Sequence, residues 1–256
     1  MNSKPFYTDD EQIRRVWDIE EIKKLMAKRA FYHANDMRRE ELDNLWVQDP
    51  KNRAEASLGL NWGWYVGFDE ISNYYAVRHM DMRRMKLDEY RAAHPEIADT
   101  RDNLGYGSMQ VYPLSTAHVK LAGDGRTARG IWYSIGQETV GNADGTGSAS
   151  WVCQKIAADF IREKDEWKIW HIVFGLDLTT PVGEGYHTTQ TLNPWKIEFL
   201  SGKPTVEMLA HDTSFNWSDD WPPVPVDYPV YDAQYTSYAP TGYKETGRPV
   251  YKRQED

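Results

Sequence analysis

The sequence predicts an α+β fold in which a curved, mostly antiparallel sheet packs against helices from the N-terminal part of the chain. Helical patterns come first, a long irregular segment follows, and long strands come last, which is the element order of that class. The strongest strand pattern is a hairpin at residues 149–178, where two runs rich in aromatic and β-branched residues flank a charged turn. Both faces of this hairpin are largely apolar. We therefore expect helices to cover one face and further chain or a second subunit to cover the other.

The first helix is predicted at residues 19–36, where apolar residues recur at helical spacing. A second, short helix is predicted at residues 40–46, so the two helices form a corner. His33 lies one position away from the predicted inner face of the first helix. That face begins apolar, ends polar, and comprises Ile22, Leu25, Arg29, Tyr32 and Asp36.

A third helix is predicted at residues 70–93, with Asp69 as its N-cap. Arg78 falls within its apolar stripe, where it either has a structural role, extending toward solvent or forming an ion pair, or forms an anion or phenolate clamp facing a cavity. His79 lies one position away from that stripe. Residues 95–114 contain several turn formers and few periodic positions, which predicts a long loop that acts as a lid.

Two shorter strands are predicted at residues 116–121 and 128–135, joined by a Gly-Asp-Gly turn. Thr116, His118 and Lys120 share one face of the first strand, and this face either meets solvent or lines a cavity. After Pro181 the composition shifts to proline and tyrosine without regular periodicity, and we expect this tail to wrap over its own domain or a neighbouring subunit. The predicted division is an N-terminal arm (residues 1–16), one domain (17–192) and a C-terminal extension (193–256).

The composition argues against several classes of partner. A net charge of −9 and a pI near 5.3 disfavour nucleic acid and anionic membranes, and no apolar run approaches the length of a membrane span. The N-terminus lacks the pattern of a signal peptide, and the single cysteine, Cys153, lies within a predicted strand. We therefore expect a cytoplasmic protein with a reduced thiol.

No motif indicates a metal or a nucleotide cofactor. The seven histidines have no metal-binding spacing, and the glycine patterns that hold phosphates are absent. Cys153 lacks a nucleophile elbow, which favours a buried structural thiol. The 11 Trp and 16 Tyr side chains suit either an aromatic ligand or plain core packing. What remains is cofactor-free acid–base chemistry in an aromatic pocket, for which the candidates are Tyr32, His33, Asp36, Arg78, His79, His118, Lys120, Asp159 and His171.

Three segments resemble the SnoaL-like branch of the NTF2-like superfamily, namely IEEIKKLMAKRAFYHAND, LAGDGRTARGIWYS and DFIREKDEWKIWHI. The resemblance covers residues 17–181 and implies a cone-shaped α+β barrel with a pocket between the sheet and the helices. The superfamily includes dehydratases, isomerases, cyclases, epoxide hydrolases and proteins that only bind small molecules. The fold alone therefore does not decide the activity.

Within this branch, the whole chain with its aromatic tail is most similar to the bacterial lignin-catabolic γ-formaldehyde lyases. That similarity implies release of formaldehyde and water from a diarylpropane diol to give a stilbene. SnoaL-like dehydratases keep a catalytic histidine before the glycine turn, whereas this chain has Thr116 there and His118 two residues later. Their helix tyrosine and aspartate correspond to Tyr32 and Asp36, at a tighter spacing. Two alternatives stay open: a dehydratase or isomerase acting on a steroid or polyketide, and a non-catalytic binding module.

Expected roles follow for the candidate residues. Arg78 and Lys120 are expected to bind substrate oxygens. Tyr32 or His118 transfers protons, and Asp36 orients one of them or, in the structural alternative, only ends its helix. No metal or cofactor is expected, the ligand is a small aromatic molecule, and the second apolar sheet face predicts a homo-oligomer, either a dimer or a trimer. The residues expected to bind substrate are His79, Trp132, Trp151 and His171, the last with the alternative of a satisfied core histidine.

Overall fold

Helices from the N-terminal part of the chain pack on one face of an eight-stranded sheet in the computed structural model, which describes residues 7–184, 204–207, 221–233, 236 and 238–240. The helices are α1 (Asp9–Ala34), α2 (Arg38–Leu45), α3 (Pro50–Glu55), α4 (Phe68–Ser72) and α5 (His79–Ala93). The strands are β1 (Ser57–Leu60), β2 (Gly63–Val66), β3 (Ser108–Val111), β4 (Ser115–Leu121), β5 (Thr127–Gly141), β6 (Gly147–Glu163), β7 (Glu166–Pro181) and β8 (Val206–Glu207). No described helix is long and apolar enough to cross a membrane.

Helix α1 begins at Asp9, well before the predicted start at residue 19. A capping box explains the earlier start, because the Thr8 hydroxyl accepts a hydrogen bond from the Glu11 amide and the Glu11 carboxylate accepts one from the Thr8 amide. The helix ends at Ala34, and Asp36 lies just beyond it with a φ of 55°. The predicted second helix is confirmed as α2, displaced toward the N-terminus by one or two residues.

The predicted third helix is present but bent. It starts after Gly67, so Asp69 is not the N-cap but an exposed residue of the first turn. A π-helical segment, Asn73–Arg78, joins α4 to α5. The wider π turn changes the direction of the side chains, and two consecutive tyrosines pack inward. Tyr75 is buried, and Tyr74 stacks on Tyr65 of β2 with ring centroids 4.1 Å apart.

The sheet is mixed and unclosed, with β5, β6, β7, β1, β2 and β8 adjacent in that order and both β3 and β4 paired with β5. The two predicted hairpins are confirmed as β4–β5 and β6–β7. Strand β1 runs parallel to β7, which the sequence did not indicate. The predicted loop at residues 95–114 contains a 3-10 turn at Arg101–Asn103 and strand β3. Helix α3 and the short β1–β2 hairpin were also not predicted.

Each face of the sheet has its own apolar core. On the inner face, which the helices cover, Ile156 and Phe160 of β6 pack with Ile22 and Leu42 of α1 and α2. On the outer face, Ala157 packs with Trp221 and Tyr238 of the C-terminal extension. The described part of the extension therefore covers the sheet of its own chain. Both faces of the hairpin are buried along this stretch, as its apolar pattern predicted.

Candidate active site

A stripe of four residues on α1 faces the sheet: Ile22, Met26, Arg29 and His33. Ile22, Met26 and Arg29 are buried, and His33 follows at the same helical spacing with its Nε2 atom buried. The stripe changes from apolar to polar toward the C-terminal end of the helix. Because an arginine that is only 2% exposed needs a charged partner, this end of α1 must lie against acidic or hydroxyl groups.

The partners of Arg29 come from α2 and from the π-helical segment. Its Nε lies 3.2 Å from Glu41 Oε1, and its Nη2 donates to the Tyr75 hydroxyl at 3.2 Å. The Tyr75 hydroxyl lies 2.8 Å from Glu41 Oε2 and 2.8 Å from His33 Nδ1. We call these four residues the Arg29 network. It joins three helical elements in the interior, and every charge in it is paired.

A second polar group begins where α1 ends. Asp36 Oδ1 lies 2.7 Å from His79 Nε2, and Asp36 Oδ2 lies 3.1 Å from Arg83 Nε, both on α5. His79 Nε2 also lies 3.3 Å from Arg83 Nε, which is longer than its contact with Asp36. The shorter contact indicates that Nε2 carries the proton of the ring and donates it to the carboxylate. We call these three residues the Asp36 group. Its carboxylate holds the imidazole in one orientation and leaves Nδ1 as the acceptor.

Burial and neighbouring charge shift the pKa values of the Asp36 group. Burial, with the charge of Arg38, lowers the pKa of His79 to about 4 despite the opposing hydrogen bond to Asp36. Burial alone would raise the pKa of Asp36, but the hydrogen bond from His79 and the charge of Arg83 outweigh it, so the pKa lies below its ordinary value. At neutral pH the pair therefore consists of a neutral imidazole and an ionised carboxylate.

Residues from the sheet complete the polar interior. The Arg38 guanidinium lies over the Tyr75 ring at 4.6 Å and donates to Gln110 of β3 at 2.8 Å. The Tyr112 hydroxyl donates to the carboxyl group of Glu138 on the inner face of β5. Burial raises the pKa of Glu138, and the charges of Arg38 and Arg83 only partly oppose this shift. Glu138, whose pKa is raised, therefore lies near the same arginines as His79, whose pKa is lowered.

The Asp36 group borders a cleft of about 390 Å³ between α2, α5 and the 3-10 turn. Asp36 faces this cleft with 21% of its side chain exposed, whereas His79 lies deeper with 9% exposed. The cleft therefore gives a small molecule access to the carboxylate from outside the helices. Its lining residues are Asp36, Arg39, Glu40, Met80, Arg84, Arg101 and Leu104.

Only part of the predicted site comes together. Asp36 and His79 are in direct contact, although they had been expected in different roles. Tyr32 packs beside the inner core, with the Lys28 ammonium 5.3 Å from the centre of its ring, and its hydroxyl forms no hydrogen bond with Asp36. Arg78 ends the π-helical segment near Tyr65, where its charge opposes the burial that raises the pKa of that tyrosine. Trp132 is buried in the inner core against Phe160.

The other predicted residues lie on the outer face of the sheet. His118 pairs with Ile131 and is exposed. Lys120 forms an ion pair with Asp227 of the C-terminal extension at 2.9 Å. Trp151 is 38% exposed on the same face. Neither His118 nor Lys120 therefore shares a cavity with Arg78, because alternation along β4 directs their side chains away from the helices.

His171 and Asp159 form a buried pair beneath the extension. His171 Nδ1 lies 2.9 Å from Asp159 Oδ2, which also accepts a hydrogen bond from Thr236 at 2.7 Å, and Arg129 lies 3.5 Å from the other carboxylate oxygen. Trp170 stacks on the His171 ring at 4.4 Å. These contacts bury the His171 ring and hold its Nδ1 against a carboxylate.

His33 had been expected to matter less than Tyr32, and no role had been expected for Glu41, Tyr75 or Arg83. A signal was present, because Ile22, Met26, Arg29 and His33 follow a spacing of four, three and four residues. The competing stripe through Leu25 and Tyr32 shares Ile22 and Arg29 with it, so periodicity alone could not separate them. Within the described part of the chain, no three His, Cys, Asp or Glu side chains converge as a metal site would require.

The lowered pKa of His79 predicts a specific loss of stability in acid. The unfolded chain binds a proton at His79 below its ordinary pKa of 6.5, whereas the folded chain binds it only near pH 4. The free energy of unfolding should therefore fall between these values, by about 3 kcal/mol from this residue. Urea unfolding at several pH values should show a smaller acid loss for His79→Gln than for the unaltered protein. Equal losses would contradict the lowered pKa.

Comparison with known proteins identifies the family. The sequence profile of the SnoaL-like domain matches residues 14–173, which is more than half of the chain. The hexachlorocyclohexane dehydrochlorinase LinA-type3 of Novosphingobium barchaimii is 10% identical with a TM-score of 0.45, and the match covers 72% of this chain and 99% of that one. Aln2 of a Streptomyces species is 14% identical with a TM-score of 0.41, over 68% and 95% of the two chains.

An NTF2-like protein with a cystatin-like fold from Novosphingobium aromaticivorans is 18% identical with a TM-score of 0.39, over 64% and 85% of the two chains. Comparison with curated proteins gives no match. Identities this low leave the activity to be argued from the residues of this chain. The profile match and the helix-covered, unclosed sheet agree on the fold, which is NTF2-like. The chain belongs to the SnoaL-like domain family.

Proposed function

We propose that this protein is a cofactor-independent lyase that eliminates a leaving group from a small aromatic alcohol by acid–base chemistry. The observation that carries the proposal is the Asp36–His79 contact of 2.7 Å beside an open cleft. A carboxylate that orients a neutral imidazole is a suitable general base, because it fixes the tautomer and stabilises the imidazolium that forms. Arg83 holds the carboxylate from its other side.

Two titratable groups with opposite shifts support the acid–base assignment. The lowered pKa of His79 keeps its Nδ1 lone pair available to accept a proton, and the raised pKa of Glu138 shifts that carboxyl group toward the protonated form, which is the form that can donate. Environments that push two pKa values apart are a common way of assigning the base and the acid of one site. Arg38 and Arg83 act on both groups and are suited to stabilise a phenolate or another developing negative charge.

The specific reaction we propose is loss of water and formaldehyde from a diarylpropane diol. The base removes the proton of the terminal hydroxyl, the bond between that carbon and its neighbour breaks to release formaldehyde, and the benzylic hydroxyl leaves with a proton from the acid. One diol then gives one stilbene, one formaldehyde and one water. A phenolate on the benzylic ring would help to expel the hydroxyl, and the arginines beside the Asp36 group are suited to bind it.

The proposal is tested by incubating the purified protein with a diarylpropane diol and measuring stilbene absorbance and formaldehyde together. Equal amounts of both products would support the specific reaction. A hydroxy-steroid and a hydroxylated polyketide are incubated with the protein in parallel. If the protein is instead a dehydratase, one of these compounds should lose water and release no formaldehyde. Thermal stabilisation by one of these compounds without turnover of any would contradict a lyase and indicate a binding protein.

We also propose a homo-oligomer, formed by the part of the outer face beyond the described C-terminal extension. Tyr133 and Ile135 of β5 are 54% and 61% exposed there, next to Trp151 of β6. An apolar sheet surface of this kind favours cover by a second copy. We expect Ile135→Lys to lower the sedimentation coefficient while circular dichroism stays unchanged. A protein that sediments as a monomer before substitution would contradict this prediction.

A further inference from the structure

His33 has one ring nitrogen without a partner in the interior of the protein. Its Nδ1 lies 2.8 Å from the Tyr75 hydroxyl, whereas its Nε2 is buried and has no hydrogen-bond partner among the described residues. Buried polar atoms of folded proteins are normally hydrogen-bonded, so an orphaned one points to a missing ligand or water. The role of this atom depends on whether it carries a proton.

The Arg29 network decides which nitrogen of His33 is protonated. The Tyr75 hydroxyl has a single proton, and it lies 2.8 Å from both Glu41 Oε2 and His33 Nδ1. Glu41 is ion-paired with Arg29 at 3.2 Å, so it is a carboxylate and can only accept. Tyr75 therefore donates to Glu41. If His33 Nδ1 carried no proton, its lone pair would face a lone pair of the Tyr75 oxygen. Nδ1 therefore carries a proton and donates it to that oxygen.

The second nitrogen is then a free acceptor, provided that the ring is neutral. Burial lowers the pKa of His33 well below its ordinary value, and the surrounding cations lower it further. The ring therefore carries one proton, on Nδ1, and Nε2 has an unshared lone pair. Charged and titratable groups face the His33 ring from α1, α2, the π-helical segment, α5 and the segment after β3. They are Arg29, Arg38, Glu41, Tyr75, His79, Arg83 and Tyr112.

We infer that His33 Nε2 is a substrate-binding acceptor, which the Arg29 network presents to a hydroxyl group of the ligand. His33 stands on the same stripe of α1 that ends beside the Asp36 group, and its ring lies 5.3 Å from that of Tyr112, which bonds Glu138. A ligand with a hydroxyl donor satisfies the orphaned atom, and an ether at that position leaves it unpaired. The ligand role rests on the proposed function, whereas the tautomer does not.

The tautomer is tested by nitrogen-15 NMR of the histidine rings in the full-length protein, with the His33 signals assigned by their absence in His33→Gln. We expect a protonated Nδ1 and an unprotonated Nε2 at pH 7. Tyr75→Phe removes the acceptor of Nδ1–H and should abolish the single-tautomer signature. A protonated Nε2 or an imidazolium at pH 7 would overturn the inference, whatever the activity of the protein.

The ligand role is tested with a diarylpropane diol that carries a phenol on the ring remote from the benzylic alcohol and with the methyl ether of that phenol, so that both reacting hydroxyls are kept. The unaltered protein should prefer the free phenol over its ether by roughly 10- to 100-fold in kcat/KM. His33→Leu should lose this preference, and His33→Gln, whose amide oxygen still accepts, should keep part of it. His94→Gln, on the exposed end of α5, is the control that keeps it fully. An undiminished preference in His33→Leu overturns the ligand role. Absence of any turnover overturns the proposed function and the ligand role with it, while the spectrum alone decides the tautomer.

Discussion

Replacing His79 with Gln is expected to lower kcat/KM for the elimination by roughly 10²- to 10⁴-fold, which is the usual contribution of a general base. Glutamine keeps a polar side chain of similar length and can still donate to Asp36, but it cannot take a proton from the substrate. Asp36→Asn should lose activity as well, because it removes the charge that orients His79 and stabilises the imidazolium. Initial rates of product formation with each purified variant measure the effect.

The control for His79→Gln is His94→Gln. His94 lies at the other end of α5, and its ring contacts the Ala143 carbonyl at 3.0 Å without approaching the Asp36 group. We expect it to retain the full rate. Because His79 is uncharged at neutral pH, its replacement by glutamine removes no charge from the interior. Circular dichroism at neutral pH should therefore show each variant folded. Near-full activity of a folded His79→Gln would remove this residue from the mechanism.

Replacing Arg29 with Met is expected to lower the free energy of unfolding by about 3 to 5 kcal/mol, because it leaves a carboxylate in the interior without its cation. The side chains of Arg29 and Glu41 are 3% and 0% exposed, so water cannot replace the lost partner. Methionine keeps much of the packing against the Phe174 ring, over which the guanidinium lies at 4.8 Å. Urea unfolding at neutral pH therefore reports mainly the loss of charge pairing.

Lys23→Met is the matched control for Arg29→Met on the same helix. Lys23 forms an exposed ion pair with Glu20 at 2.6 Å, and such pairs contribute about 1 kcal/mol or less. The double variant Arg29→Met/Glu41→Leu should recover much of the loss, because it removes the unpaired carboxylate. Equal losses for the two single variants would contradict a buried, paired role for Arg29.

Long local patterns made much of the fold predictable. The β6–β7 hairpin has strands long enough to show apolar residues on both faces, and the β4–β5 hairpin has a strong turn signal. Strands β1 and β2 have four residues each, too few for a periodic pattern, and β1 is placed by parallel pairing with β7 far along the chain. Such pairing is a tertiary interaction that no local segment encodes.

The candidate site was predictable only in part. Asp36 was identified from its place at the end of the first helix, and the structure adds His79 as its partner. Alternation along β4 correctly grouped His118 with Lys120. It could not tell which face the helices cover, and the structure places both on the other face. The π-helical turn also departs from the fixed period of an α-helix, so a periodic pattern could not assign Tyr75 to the polar interior.

The position of a bound ligand tests the central claim most directly. A crystal structure with an unreactive ether analogue of the diol, or with the stilbene product, should show the ligand in the cleft between α2, α5 and the 3-10 turn, extending from Asp36 toward His79. We predict a substrate oxygen roughly 3 Å from His79 Nδ1, within hydrogen-bonding reach. A ligand bound instead on the outer face, against His118 and Lys120, would contradict the assignment of the Asp36 group as the active site.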